Sequence, residues 1–158
     1  MAKKRLSTDR CQPILVSACL LGLATRYDGK AKRSQAVIDY LQRENLLPIP
    51  VCPEQLAGMT TPRDKTFFQS GDGHSVLAGD GQVVSTTGQP MNAVFRRGAE
   101  MVLQIARLSD CRRALFKERS PSCGVHHIYR GSEPVQGVGV TAALLLKEGI
   151  KVLSEEDV

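Results

Sequence analysis

Four short apolar runs, each set apart from the next by polar or helix-spaced segments, constrain this chain more than any other feature. They are "PILVSAC" (residues 13–19), "LLPIPVC" (46–52), "RRALFKE" (112–118) and "IKVLSEE" (150–156). Each has the length and residue types of a strand. The prolines of the second suit a strand end or an edge rather than a central ladder position. Between the runs, "SQAVIDYLQREN" places Val37, Ile38, Tyr40 and Leu41 at helical spacing behind Ser34, a capping residue. "PEQLAG" reads as a short helix with proline in its first turn. Met91, Phe95, Ala99, Val102 and Ala106 share one helical stripe that runs to Leu108. "VGVTAALLLKEG" reads as a last, mostly buried helix ended by Gly149.

Residues 60–90 are polar and glycine-rich, and "HSVLAGDGQVVST" predicts a hairpin turning at Asp80–Gly81. The rhythm is otherwise that of parallel strands joined by crossover helices. The expected fold is α/β: a single Rossmann-like parallel sheet with crossover helices and a small β-hairpin insertion. With 158 residues and no dividing linker, residues 13–158 read as one α/β domain and residues 1–12 as a solvated basic tail. No apolar h-region of a secretory signal follows that tail and no stretch approaches the length of a membrane span, so the expected address is the cytoplasm, without a membrane partner. The net charge of +5 comes from scattered pairs such as Arg96–Arg97 and Arg112–Arg113 with few aromatics nearby. That pattern argues against a dedicated nucleic-acid surface.

The chain has five cysteines, an odd number, and no C-x-x-C pair, which argues against a disulfide framework or a local metal clip. Strand polarity sorts them. Cys19 and Cys52 end the first two strands, and Cys123 lies in the loop leaving the third. In a parallel sheet all carboxyl ends face one edge, where open α/β sheets bind ligands. Neighbouring strands lie about 4.8 Å apart, so the three thiols can converge there. Cys11 and Cys111 precede their strands and belong to the opposite edge. Three thiolates select soft metals: zinc, copper(I) or an iron–sulfur cluster. Zinc would want a fourth ligand, which His126 or His127 could supply; three protein ligands on a four-iron cluster would leave one iron open.

The ordered set "ILVSACLLG", "RYDG", "PVCPEQLAG", "TPR", "GAE", "KERSPSCG" and "GVGVTAALL", closing on "SEE", resembles the thiouracil desulfidase family from Ile14 to Glu156. No cysteine motif departs from the family's pattern. The resemblance implies a [4Fe-4S] cluster held by Cys19, Cys52 and Cys123, with the fourth iron free of protein. It further implies removal of sulfur from a thiolated pyrimidine without net redox chemistry, and iron–sulfur assembly machinery as a partner. A base beside the cluster would deprotonate the attacking water. Glu54, two residues past Cys52, ranks first and Asp28 of "RYDG" second. Ser120 and Ser122 are candidates to bond cluster sulfurs or a pyrimidine oxygen, and Lys117 to support an oxyanion. Arg26, Arg63 and Arg119 are candidates to meet a phosphate. "GVGVTA" lacks the preceding strand of a dinucleotide fingerprint and reads as a tight helix start packed near the cluster edge. Two other readings stand beside this one: a non-catalytic zinc or redox-sensing protein using the same three cysteines, and a hydrolase whose nucleophile Cys123 is activated by His126 or His127.

Overall fold

The computed structural model describes residues 10–158. Most of the basic tail expected over residues 1–12 lies outside the described residues; Gln12, its last member, already opens the first strand. In chain order the elements are β1 (Gln12–Ser17), a 3-10 turn (Ala18–Leu21), α1 (Gln35–Arg43), β2 (Leu46–Val51), α2 (Pro53–Leu56) and β3 (Thr66–Ser70). There follow α3 (Gly73–Ala78), β4 (Gln82–Ser85), α4 (Asn92–Leu108), β5 (Arg113–Phe116), β6 (His127–Arg130), β7 (Glu133–Gln136), α5 (Val140–Lys147) and β8 (Lys151–Ser154).

The four apolar runs form one parallel sheet in the order β2-β1-β5-β8. β1 is central and fully buried from Ile14 to Ser17, as expected of a strand covered on both faces. Its alternate side chains divide the core. Leu15 packs with Val102, Ala106, Phe116 and Leu145 beneath α4 and α5. Ile14 and Val16 pack with Val37 and Leu41 beneath α1. β2 is the edge strand. Its two prolines, Pro48 and Pro50, stand two residues apart and so share one side of the strand, where missing donors can face away from the ladder. Ser34 caps α1, its hydroxyl accepting the Val37 N–H at 3.3 Å. The chain leaves β1 for β2 on one side and returns for β5 on the other. The carboxyl ends of β1 and β5 therefore flank a topological switch point, the usual ligand crevice of such sheets.

The expectation of a single sheet with a small hairpin insertion is corrected. A second, mixed sheet is present, in the order β4-β3-β6-β7, with β3 parallel to β6 and both outer pairs antiparallel. The segment that reads as a hairpin strand, "HSVLA", is helix α3 instead. The Asp72 carboxylate accepts the Ser75 N–H at 3.2 Å, and the Ser75 hydroxyl accepts the Asp72 N–H at 3.3 Å. This reciprocal capping box starts the helix, and Gly79 ends it at φ 92°. Phe68, Val76, Val83, Phe95, Ile128 and Val140 form the third core cluster, under the second sheet. Among the described residues no helix is long and apolar enough to cross a membrane.

Candidate functional site

Cys19, Cys52 and Cys123 line one cavity of about 400 Å³ at the carboxyl edge of the parallel sheet, together with Glu54, Arg63 and Lys117. Cys11 and Cys111 do not reach it. The Cys11 thiol is exposed and donates to Asn45 Oδ1 at 3.0 Å. Cys111 is packed in the core beneath α4 and α5.

Each thiol is presented differently. Cys19 lies in the 3-10 turn that follows β1, and its carbonyl accepts the N–H groups of Gly22 (3.2 Å) and Lys32 (2.9 Å). Cys52 stands at the N-cap of α2, its carbonyl accepting the Leu56 N–H at 3.0 Å while Pro53 fills the first helical position. Cys123 lies in an irregular loop tied down from three directions. The Ser120 hydroxyl accepts the Ser122 and Cys123 N–H groups at 3.2 and 3.1 Å. Unpaired N–H groups at the start of α5 donate to loop carbonyls, Val140 to Pro121 at 2.9 Å and Thr141 to Ser122 at 2.9 Å. Glu118 Oε1 accepts the N–H groups of Val125, His126 and His127 at 2.9, 2.8 and 2.9 Å. "GVGVTA" is thus a helix start packed on the cysteine loop: a Cβ on Gly139 would stand 2.7 Å from the Cys123 nitrogen.

Glu54 joins the two sides of the cavity. Its Oε2 accepts from the Cys52 thiol at 3.4 Å and its Oε1 from the Ser122 hydroxyl, which also lies 3.6 Å from Cys123 Sγ. Arg63 Nη2 stands 3.7 Å from Glu54 Oε2, both side chains nearly buried, and donates to the Thr25 carbonyl at 2.9 Å. Lys117 bonds Glu155 Oε1 at 2.6 Å and the Glu118 carbonyl at 3.1 Å, which among the described residues leaves one of its three donors uncommitted. Asp28 is placed elsewhere: it does not line the cavity, and its carboxylate accepts the Lys30 N–H at 3.1 Å in an exposed turn. Of the arginines singled out from the sequence, Arg26, Arg63 and Arg119 all line the cavity.

Burial dominates the electrostatics of the thiols. It raises Cys123 well above the ordinary thiol value, the Glu54 carboxylate adding to the effect. Burial and Glu54 push Cys52 up to about 11. Burial raises Cys19 too, with Lys117 and Arg26 opposing. Thiols so protonated are poor nucleophiles at neutral pH. The histidines offer no activation either. His126 is exposed and bonded to Asp157 at 3.0 Å, and His127 begins β6; neither lines the cavity. This geometry counts against a cysteine-nucleophile hydrolase.

Glu118, Ser17, Tyr27, Tyr129 and Glu155 are the residues that sequence reasoning missed. Glu118 ends the apolar run "RRALFKE" between two charged neighbours and has no role on sequence grounds, yet it is 1 % exposed. Ser17 accepts the Lys117 N–H at 2.9 Å and stitches the ends of β1 and β5. Tyr27 and Tyr129 flank the cavity lining, with Lys65 Nζ 5.0 Å from the Tyr129 ring and 5.9 Å from that of Tyr27. The only sequence signals for the tyrosines were their places, beside Asp28 and just after the paired histidines.

Fold and cavity together define an α/β protein with a three-thiol pocket at the switch point of its parallel sheet. Comparison narrows that class. The family model described as 2-thiouracil desulfurase matches residues 14–157, and the chain belongs to that family. It is 35 % identical over 147 residues to the uncharacterised protein YbbK of Bacillus subtilis (strain 168), a match covering 91 % of this chain and 96 % of that one. It is also similar to a solved structure of the [4Fe-4S]-dependent thiouracil desulfidase TudS, with 38 % identity, a TM-score of 0.79 and 93 % of each chain covered.

Proposed function

We propose that this protein removes sulfur from a thiolated uracil, with Cys19, Cys52 and Cys123 holding a [4Fe-4S] cluster delivered by iron–sulfur assembly machinery. The observation that carries this reading is the convergence of three thiols, from three separate elements, on one cavity that Glu54 spans. The donor set fits a cluster better than a single ion. Among the described residues no three His, Cys, Asp or Glu side chains lie close enough to hold one metal ion. Zinc would need its sulfurs about 2.3 Å from a common centre, whereas a cluster takes each thiolate on a different iron. Zinc would also want a fourth protein ligand, and neither His126 nor His127 lines the cavity. Membership of the 2-thiouracil desulfurase family and the likeness to TudS support both the substrate class and the cofactor.

A cluster held by Cys19, Cys52 and Cys123 would supply a soft Lewis acid for a thiocarbonyl sulfur. The chain's own residues supply the rest. Thiouracil and water give uracil, hydrosulfide and a proton, so no electron donor is needed. Glu54 takes the proton of the attacking water on its carboxylate. The Ser122 hydroxyl orients that carboxylate on one side, and Arg63, 3.7 Å from its Oε2, keeps a positive charge on the other. The charge displaced by the attack goes to the sulfur. Lys117 has its remaining donor for the added oxygen, which turns negative as it gives up its second proton and becomes the carbonyl oxygen when the C–S bond breaks and hydrosulfide leaves.

The test is sulfide release from a panel of thiolated pyrimidines, measured on anaerobically reconstituted protein and its Glu54→Gln variant. The variant should keep its iron and lose turnover by about 100-fold or more, the usual range for a positioned acid or base. Undiminished sulfide release would remove Glu54 from the mechanism. Absence of release from every thiolated pyrimidine would remove the reaction.

A further inference from the structure

The acid run that follows the last apolar segment, Glu155–Glu156–Asp157, takes no part in the reaction above. Each of its members nevertheless meets a base on the stem of the Cys123 loop. Glu155 Oε1 lies 2.6 Å from Lys117 Nζ, Glu156 Oε1 2.6 Å from Arg119 Nη1, and Asp157 Oδ2 3.0 Å from His126 Nε2. The turn that aims them is itself fixed. The Ser154 N–H donates to Asp157 Oδ2 at 2.8 Å, and the Ser154 hydroxyl accepts the Glu156 N–H at 3.0 Å.

The three pairs are not equivalent. The Arg119–Glu156 and His126–Asp157 side chains are between about a third and a half exposed, and exposed pairs of this kind contribute little. The Lys117 and Glu155 side chains are only 20 % and 15 % exposed. Glu155 is engaged at both oxygens, since Oε2 accepts the Glu118 N–H at 2.7 Å. Glu118 in turn holds the far end of the loop through the N–H groups of Val125, His126 and His127. An unbroken set of bonds thus runs from the exit of β8, through both ends of the loop, to the segment that presents Cys123.

We propose that Glu155 is a positioning residue: it anchors Lys117 at the cavity wall and clamps the stem of the Cys123 loop, while Glu156 and Asp157 only cover its rim. Removing one partner from a mostly buried pair leaves the other charge uncompensated, so the loss should appear first in the loop that the pair secures.

The test uses the full chain and reads each cysteine separately. In metal-free protein, Glu155→Gln should speed alkylation of Cys123 by about tenfold, equivalent to about 1.4 kcal/mol of local stability. Cys111 and Cys52, which Glu155 and Lys117 do not touch, should react at the wild-type rate. In reconstituted protein the same variant should lower kcat with iron content retained. Glu155→Asp, which keeps the charge on a shorter arm, should restore part of both, and it carries the test if Glu155→Gln does not fold. Glu156→Gln should behave as wild type. The proposal is overturned if Cys123 reactivity is unchanged, if Cys111 and Cys52 accelerate together with Cys123, or if Glu156→Gln matches Glu155→Gln. The alkylation result needs neither cluster nor turnover, so it stands or falls apart from the desulfuration reading; only the kcat result rests on it.

Discussion

The Cys52 and Cys123 sides of the cavity face one another across Glu54, but they are held by different forces. Cys52 sits where β2 passes into α2, and main-chain geometry places it: the parallel ladder with β1 fixes the strand end, and the helix start fixes the next residue. Cys123 sits in a loop of no regular structure, held by a buried carboxylate, a serine hydroxyl and the free N–H groups of α5. A junction between regular elements can present a ligand with little side-chain support. A loop needs polar groups buried around it, and each of those groups must find its partner.

The sharpest way to break this comparison is Glu118→Ala. It strands three backbone N–H groups at about 1–3 kcal/mol each, so the protein should lose about 3 kcal/mol or more in urea unfolding. Acid gives the same residue a second test. Burial pushes the Glu118 carboxyl up, but the N–H groups of His127, His126 and Val125 outweigh it and leave the folded value below the ordinary 4.5. The stabilisation from Glu118 is therefore complete above pH 4.5 and fades as pH falls through the lower folded value. Replacement by glutamine should flatten the loss of stability in that window, followed by circular dichroism.

A matched pair of glycine substitutions sharpens the contrast. In Gly139→Ala the new methyl meets the Cys123 loop, and in Gly98→Ala it meets the Pro53 carbonyl of α2. Each should destabilise by about 1–3 kcal/mol through overpacking. Only the first should loosen Cys123, and only the second Cys52, as read by alkylation of the metal-free protein. The smallest effect belongs to Ser34→Ala, which removes the α1 cap at about 1 kcal/mol and should leave iron content unchanged.

The same contrast explains what the sequence made legible. The strand ends are visible because apolar runs have a length and a polarity, so strand direction alone separates Cys19, Cys52 and Cys123 from Cys11 and Cys111. The edge position of β2 follows from Pro48 and Pro50, and the start of α1 from Ser34. The second sheet is not visible. Its strands are four or five residues long, and β3 meets β6 only after a long excursion through the chain. The α3 segment misleads because Val76 and Leu77 sit beside an Asp-Gly pair that imitates a hairpin turn; the capping box from Asp72 to Ser75 was the competing signal. Glu118 hides for another reason. A charge amid charges reads as surface, and only tertiary packing reveals three donors waiting for it. Asp28 errs the opposite way, a loop acid that caps its own turn and points to no partner across the cavity wall.

The account rests on three thiols acting together while two others stand apart. Single replacement of each of the five cysteines by alanine, followed by anaerobic reconstitution and measurement of iron and acid-labile sulfide, tests this most directly. Wild type and the Cys11 and Cys111 variants should each hold about four irons per chain, and the Cys19, Cys52 and Cys123 variants should fail to retain them. Full iron retention without any one of those three thiols, or loss of iron on replacing Cys11 or Cys111, would contradict it.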